Sequence, residues 1–282
     1  MTLRCTIATT KRELDHALKL RWQVFSGEMR LLAPTSPLVE REVDLFDTLE
    51  STVHFLVYSD ETPVGTVRLL FPSEEVADAN RWRIGIDLER KFDLDSLVAP
   101  GVRFAEATRL CILRERRRGA VLALLVEAMR RESMRRGVTH WVAAANTETD
   151  SKEDAHITYR VAESIGLVSE RWRVTPRIVA PPPPVPLRPF YGPLERERAA
   201  RDEMAGLRLP KPLALYALKM GARYVGEPTY DARFRAFSMP LVAPVACGTD
   251  ASVGRAPPET GFEASAGARP PPDSSAFFAM TE

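Results

Sequence analysis

Apolar residues follow a helical period in one segment near the middle of the chain and a denser, strand-like pattern just before it. From Val121 onward they fall at i, i+3, i+4, i+7 and i+8, the spacing of a helix with one buried face. The preceding run RFAEATRLCIL is apolar enough for a buried strand, yet it carries Glu106 and Arg109. The pattern therefore predicts a strand, a basic turn and a helix over Arg103–Arg136.

The segments before this unit are predicted to alternate between strands and helices. A short strand is expected at Leu3–Ile7, and Thr10 is placed to cap a helix that starts at Lys11. The runs VHFLVYS and PVGTVRLLF are predicted to be two strands joined by the polar turn Asp60–Thr62. A turn of helix is expected at Leu88–Phe92, so this half has the character of a β-meander with helices added.

The second half continues with mixed elements. HWVAAAN and VSERWRVTPRIV are predicted to be strands, with a helix between them over His156–Ile165. Two further helices are expected over Leu194–Leu207 and Pro212–Met220, and FRAFSMPLVAPV is expected to be the last strand. From Gly248 the chain is rich in Gly, Ala, Pro and Ser and poor in large apolar residues, which predicts a disordered tail.

Alternating strands and helices with an early meander favour an α/β fold with a mixed sheet. The chain has 282 residues, of which 45% are hydrophobic, enough for one sizeable core or two small ones. We therefore predict a single domain over residues 1–246, in which helices flank a mixed central sheet, and a disordered tail over residues 247–282.

Charge and cysteine content narrow the function classes. The formal net charge of +1 argues against a general nucleic-acid binder. The three cysteines, Cys5, Cys111 and Cys247, lack the spacing of a disulfide framework or a metal site, which favours a reducing, cytoplasmic compartment. Cys111 is expected to be a small core residue. Neither a secretion signal nor a membrane span is expected, because no apolar run is suitable for either.

The turn before the central helix is strongly basic. A helix macrodipole disfavours cations at the N-terminus of the helix, while the unpaired N–H groups there attract anions. Arginines at this position strengthen that attraction and indicate a phosphate site, but a solvated surface run is an equally open interpretation. The residues concerned are Arg114, Arg116, Arg117, Arg118 and Gly119.

Charged residues recur at spacings that resemble a known family. Arg21 and Phe25 form an R-x-x-x-F element, and Glu106 and Arg109 form E-x-x-R, with Arg68 between them in GTVRLL. Three acids in an E-x-D-x-x-D pattern follow the first element, namely Glu42, Asp44 and Asp47. In this order the set resembles the acyl-homoserine lactone synthases, the N-acyl amino acid synthases and the ornithine-lipid acyltransferases, which have the GNAT acyltransferase fold.

Two further segments bear on this resemblance. Arg116 and Gly119 fit the R-x-x-G start of the GNAT pyrophosphate loop, with Val121 at its last small position. The run PLALYALKMGARYVGEPTYDARFRAFSMPLV is similar to the C-terminal segment of the N-acyl amino acid and ornithine-lipid branch. Met29–Leu32 stands where the lactone synthases have a tryptophan. The resemblance is therefore nearer to that branch than to the lactone synthases.

The resemblance implies an enzyme that moves a long-chain fatty acyl group from acyl carrier protein to the amine of an amino acid, giving an N-acyl amino acid. Its co-substrate would be the acyl-phosphopantetheine of that carrier, or acyl-CoA, with no tightly bound cofactor and no metal. Within the class, a lactone (autoinducer) synthase and an ornithine-lipid acyltransferase stay open. Outside it, the alternative is a GNAT-fold protein that binds the carrier without catalysis. A lipid product would allow a peripheral membrane contact.

The reaction restricts which residues can act. A free α-amine has a pKa of about 8, so a carboxylate must hold the ammonium and remove its proton. Glu106 and Glu42 are the candidate bases, with Arg109 as a third catalytic candidate. The basic turn could meet the phosphopantetheine phosphate and an acidic carrier protein. The residues assigned to substrate binding are Arg21, Phe25, Asp44, Asp47, Arg68 and His54.

A structural role is open for several of these residues. Arg21 could bridge to Asp44 or Asp47 only as a buried ion-pair network, which is costly unless every partner is present. Arg68 and Arg109 could bind the carboxylate of the acceptor bidentately or pair within the core.

The central strand raises a geometric problem. Residues three apart in a regular strand point to opposite faces, so Glu106 and Arg109 share a site only if the strand is irregular between them. A β-bulge would return both side chains to one face and free backbone N–H groups for a thioester oxygen. We therefore predict a bulge near Ala107–Arg109.

Overall fold

The computed structural model describes residues 2–32, 39–117, 119–177 and 181–246, together with the backbone of Ala279–Met280. Its strands are β1 (Leu3–Ile7), β2 (Thr52–Ser59), β3 (Thr62–Leu70), β4 (Phe92–Asp93), β5 (Phe104–Ile112), β6 (His140–Asn146), β7 (Thr175–Pro176), β8 (Arg223–Tyr224), β9 (Thr229–Asp231), β10 (Ala236–Pro244) and β11 (Ala279–Met280). Its helices are α1 (Lys11–Trp22), α2 (Glu74–Asn80), α3 (Val121–Arg135), α4 (Lys152–Ser164), α5 (Pro193–Ala200) and α6 (Lys211–Met220).

The central feature is a mixed sheet with the strand order β1-β2-β3-β5-β6-β10-β8, in which β9 pairs with β10 and β11 with β5. The strands β5 and β6 are parallel, whereas β2–β3, β3–β5 and β6–β10 are antiparallel. The short strands β4 and β7 pair separately. The predicted α/β class with a mixed central sheet flanked by helices is confirmed.

Apolar side chains cover both faces of the sheet. On β6, Trp141 and Ala143 belong to the cluster that packs against α1, α3 and α6, while Val142 and Ala144 belong to a second cluster. That second cluster is built from the irregular segment between β3 and β5 and from Trp172. Because both faces are buried, the central strands of the sheet have nearly continuous apolar sequences instead of alternating ones. None of the described helices has the length and hydrophobicity to cross a membrane.

The first helix begins where the sequence predicts and ends in an irregular turn. The Thr10 side chain accepts the N–H of Glu13, whose carboxylate accepts the N–H of Thr10, so the two form a capping box. After Trp22 the chain continues as a π-helix over Gln23–Glu28. Single π-helical turns are often found at functional sites, because the wider turn re-aims side chains. Here the turn follows Arg21 directly.

The predicted strand VSERWRVTPRIV is mostly wrong. It contributes an isolated bridge between Val168 and Tyr224 and the short β7, and its residues 178–179 lie outside the described segments. The Ser169 hydroxyl accepts the backbone N–H of Trp172 at 3.1 Å, which bends the chain away from an extended strand. The apolar residues of this run enter the core from a loop.

Two predicted helix boundaries also need correction. The helix expected over Leu194–Leu207 ends as α5 at Ala200, because Asp202 and Gly206 adopt left-handed backbone angles of φ 63° and 76°. The helix expected from His156 begins earlier, at Lys152, where Ser151 caps it by accepting the N–H of Asp154 at 3.3 Å.

The strands β5 and β6 stay together for only part of their length. Their pairing runs from Phe104–His140 to Glu106–Val142, whereas β3 pairs with β5 as far as Ile112. Beyond Glu106, the edge of β5 that faces β6 instead pairs with β11, at Leu110 and Cys111. Apart from β11, the residues of the predicted disordered tail lie outside the described segments. The buried thiol of Cys111 lies in the core, as predicted.

Strand β3 approaches α3 most closely at Gly65. A Cβ atom built on Gly65 would lie 2.4 Å from Val121 Cγ1 and 3.4 Å from Leu125 Cδ1. A methyl group at Gly27, in the π-helical turn, would meet nothing within 4 Å. The two glycines therefore form a matched pair for testing this packing.

Gly65→Ala is expected to lower the free energy of unfolding by about 1–3 kcal/mol, because the added methyl group overpacks the contact between β3 and α3. Gly27→Ala is expected to change it by less than about 0.5 kcal/mol. Urea denaturation of both variants measures the difference. An equal effect at both positions would contradict the close approach at Gly65.

Candidate active site

Buried carboxylates meet guanidinium groups, some buried and some partly exposed, on one face of the sheet beside β3 and β5. The acidic members are at most 7% exposed and come from three separate segments. They are Glu42, Asp44, Asp47, Asp87 and Glu106. The basic members are Arg21, Arg68, Arg90, Arg109 and Arg233. Burying this much charge is tolerated only because each sign is matched by the other. We call this set the charged cluster.

Asp47 is the junction of the charged cluster. Its two carboxylate oxygens accept bidentate hydrogen bonds from Arg21 at 2.7 and 3.0 Å, and one of them also accepts from Arg68 at 2.9 Å. The backbone N–H of Asp44 donates to it at 2.7 Å, which folds the acidic segment into a turn. Burial raises the pKa of Asp47, but Arg21 and Arg68 outweigh burial and hold the pKa well below its usual value.

Glu42 is surrounded by guanidinium groups. Arg21 and Arg233 both bind its carboxylate, and Arg109 Nε lies 3.3 Å from each of its oxygens. Burial raises the pKa of Glu42, but these three arginines together keep the pKa below its ordinary value. The proton affinity of Glu42 is therefore low, which weakens it as a general base.

A β-bulge places Glu106 and Arg109 on the same face, as the sequence analysis predicts. Arg109 has φ +56°, and between Thr66 and Arg68 on β3 the register skips a residue of β5. Arg109 Nη2 then donates to Asp44 at 3.0 Å, and Glu106 Oε2 accepts the backbone N–H of Leu88 at 2.9 Å. The predicted bulge is confirmed at its Arg109 end.

Arg68 and His54 complete the inner part of the charged cluster. Arg68 Nε donates to Thr108 at 2.9 Å, and its terminal nitrogens reach Asp44 and Asp87 at 3.3 and 3.5 Å. His54 Nε2 lies 2.9 Å from the Asp47 carbonyl oxygen, and among the described residues its Nδ1 has no hydrogen-bond partner. Burial lowers the pKa of His54 to about 4, so the ring is neutral at pH 7 and donates through Nε2.

Sequence reasoning missed several members of the charged cluster. Arg233, in the turn between β9 and β10, binds Glu42 and also donates to Asp44 at 2.7 Å. Its neighbour Phe234 packs edge-on against Phe25 with ring centroids 5.2 Å apart. The available signal was the ARFR run inside the C-terminal segment that resembles the N-acyl amino acid branch. No sequence signal indicated Asp87 or Arg90, because nothing in the spacing of GIDLER links them to the acidic segment.

The basic turn divides into an inward and an outward part. Arg117 is buried, pairs with Glu28 and donates to the Ile112 carbonyl at 3.0 Å, so its charge serves the fold. Burial lowers the pKa of this guanidinium. Arg114 and Gly119 are exposed before α3, Arg116 is half-buried, and Arg118 lies outside the described residues. Among the described residues of this turn, the side chains that can meet an anion are therefore Arg114 and Arg116.

A small apolar cavity lies beside the bulge, between the sheet and two helices. Its volume is about 20 Å³, and it is lined by Val67, Ala107, Leu110 and Leu125, with Met220 from α6. One wall of this cavity thus comes from the C-terminal half of the chain, through the last residue of α6.

Within the described residues, no group of acidic, histidine or cysteine side chains is arranged to hold a metal ion. The buried acids of the charged cluster are instead neutralised by guanidinium groups.

Asp47→Asn is expected to lower the free energy of unfolding by about 3–5 kcal/mol, since it leaves Arg21 and Arg68 buried without their shared anion. The matched control is Asp15→Asn, which loses surface pairs with Arg41 at 2.5 Å and Lys19 at 2.9 Å. The control should lose at most about 1 kcal/mol. Urea unfolding compares the two, and equal losses would show that the junction is not critical.

His54 is expected to make stability depend on pH between about 6.5 and 4. Its pKa is lower in the folded protein than in the unfolded chain, so the unfolded chain takes up a proton first as the pH falls. Stability is therefore complete above pH 6.5 and declines by up to about 3 kcal/mol toward pH 4. His54→Gln should flatten this decline in denaturation curves. An unchanged slope in the variant would exclude His54 as its source.

Part of the chain matches a known domain family, and most of the chain is similar to characterised proteins. Residues 20–127 match the acetyltransferase (GNAT) domain. The chain is 36% identical over 134 residues to an L-ornithine N(alpha)-acyltransferase of Agrobacterium fabrum, and this alignment covers 44% of the chain and 43% of that protein. It is 25% identical over 253 residues to an L-ornithine N(alpha)-acyltransferase of Rhizobium meliloti, covering 86% of the chain and 80% of that protein.

A solved structure is similar over most of the chain. FeeM, an N-acyl amino acid synthase from uncultured soil microbes, is 11% identical, with a TM-score of 0.47 over 86% of this chain and 90% of that one. The matched residues 20–127 contain every site residue that the sequence analysis selects, whereas Arg233 lies beyond them. The resemblance stated from the charged motifs is confirmed: part of the chain matches the acetyltransferase (GNAT) domain, and the chain is similar to ornithine acyltransferases.

Proposed function

We propose that the protein is an N-acyltransferase that moves a long-chain fatty acyl group from acyl carrier protein to the α-amine of an amino acid. The observation that carries this proposal is the bulge in β5, which sets Glu106 and Arg109 on one face beside the acidic segment. Two related ornithine acyltransferases favour ornithine as the acceptor. The product would be an N-acyl amino acid that keeps its carboxylate.

The acidic segment would attract the amine of the acceptor. Glu42 and Asp44 are buried carboxylates whose outer contacts are made by Arg233, and the Arg233 side chain is 33% exposed. An ammonium group has the same charge as that guanidinium and can replace it at these oxygens. Arg233 would therefore hold the site closed until the acceptor binds. Once the ammonium group had displaced it, the Arg233 side chain would bind the carboxylate of the acceptor.

Glu106 is our preferred general base. It is fully buried on the strand that would carry the thioester, and the Leu88 N–H orients its carboxylate. Three guanidinium groups depress the pKa of Glu42, so Glu42 would hold the acceptor's ammonium group without removing a proton from it. Glu42 would also orient Arg109. In the reaction the amine nitrogen forms a bond to the thioester carbon, the carbon–sulfur bond breaks, and the proton removed by Glu106 leaves with the thiol.

The acyl donor would lie along β5 beside its bulge, on the stretch that has left β6 and pairs with β11. The bulge at Arg109 interrupts the β3–β5 ladder, and N–H groups released from it can donate to the thioester oxygen. Arg114 and Arg116 stand at the N-terminus of α3, where a phosphate and an acidic carrier surface are favoured. The acyl tail would widen the cavity at Leu110 and Met220, because about 20 Å³ cannot contain a fatty chain. Acyl-CoA is the alternative donor.

Glu106→Gln is expected to lower the kcat of amide formation by about 10²–10⁴-fold at saturating acyl carrier protein and ornithine. Glu42→Gln should mainly raise the KM for the acceptor, because it weakens the hold on the ammonium. Glu127→Gln, a half-buried acid on α3 outside the charged cluster, is the matched control and should leave both constants unchanged. Product mass identifies both halves of the amide. Full activity of Glu106→Gln would refute the proposed base, and a product without a carboxylate would indicate lactone formation.

A further inference from the structure

A second, larger cavity lies at the other end of the sheet from the basic turn. It has a volume of about 510 Å³, within the range of ligand pockets, and is half-open to solvent. Its walls are apolar, with Phe71 directly after β3, Phe104 from the start of β5, and Val98 and Val102 from the segment before β5. None of these residues belongs to the charged cluster. The cavity is therefore distinct from the site proposed for acyl transfer.

The mouth of this cavity carries three arginines. Arg83 and Arg103 are exposed, and among the described residues neither guanidinium has an ion-pair or hydrogen-bond partner. The third, Arg136, pairs with Glu132 and stacks over the Phe71 ring, with its guanidinium carbon 4.2 Å from the ring centroid. Glu74 is the acidic residue among those lining the cavity. The positive charge at the mouth is thus incompletely balanced.

We propose that this cavity binds a long-chain amphiphile with an anionic head, such as a fatty carboxylate or an alkyl phosphate. The chain would occupy the apolar hollow formed by Phe71, Phe104 and Val102, replacing water against its walls. The head would bind Arg83 and Arg103, whose planar guanidinium groups suit carboxylate and phosphate oxygens. A free inorganic anion would gain nothing from the apolar walls, and a cationic amphiphile would be repelled at the mouth.

Calorimetric titration of the full chain below the critical micelle concentration tests this proposal. Dodecanoate and dodecyl phosphate are the two anionic probes, and their relative affinities separate a carboxylate from a phosphate head. Both should bind, while dodecyltrimethylammonium, acetate and inorganic phosphate should bind at least about tenfold more weakly. Equal binding of the cationic amphiphile would overturn the proposal.

Variants locate the binding. The double variant Arg83→Gln/Arg103→Gln should weaken dodecanoate binding by about tenfold or more. Val98→Asp, at an exposed wall position, should do the same by placing a negative charge beside the head. Arg131→Gln, an exposed arginine on α3 away from the cavity, is the matched control and should bind as the parent does. Unchanged binding in both cavity variants, or an equal loss in the control, would refute this site.

Discussion

Asp47 holds Arg21 and Arg68 together through both of its carboxylate oxygens, and this junction fixes the arrangement of the charged groups around it. A carboxylate taken out of water costs several kcal/mol unless cations and N–H donors replace the lost hydration. The partners of Asp47 come from α1, from β3 and from its own backbone turn at Asp44. Removing any one of them exposes the cost of burying the others. The fold therefore tolerates the charged cluster only as a complete set.

The bulge in β5 connects this electrostatic arrangement to the sheet. The left-handed backbone of Arg109 turns its side chain toward Glu42 and Asp44 and lets it share a face with Glu106. A left-handed angle at a non-glycine residue is unfavourable by itself, and the buried ion pairs compensate for it. The same irregular stretch begins where β5 leaves β6. One local departure from regular strand geometry thus brings Arg109 into the charged cluster and lies where β5 diverges from β6.

Sequence patterns were sufficient for the long strands of the sheet and for most of the charged cluster, but not for the short strands. Period and capping signals predicted α1, β2, β3, β6 and α6, and the spacing of E-x-x-R forced the bulge, since a regular strand could not present both residues. Local signals failed where tertiary contacts decide. Arg117 looks like any other arginine of the basic run, yet Glu28, 89 positions earlier, draws it inward. Asp87 joins the site through contacts such as that with Arg68, which lies too far away along the sequence for a local pattern to reveal.

The contacts of Arg233 join the charged cluster across most of the described sequence. Arg233 donates to the Val43 carbonyl at 3.0 Å across 190 positions of sequence, and its turn packs Phe234 against Phe25. Contacts of such long range form late, because the loop between them must close first. During synthesis, the acidic segment leaves the ribosome long before its outermost cation. The nascent chain can therefore complete this site only after Arg233 has left the ribosome.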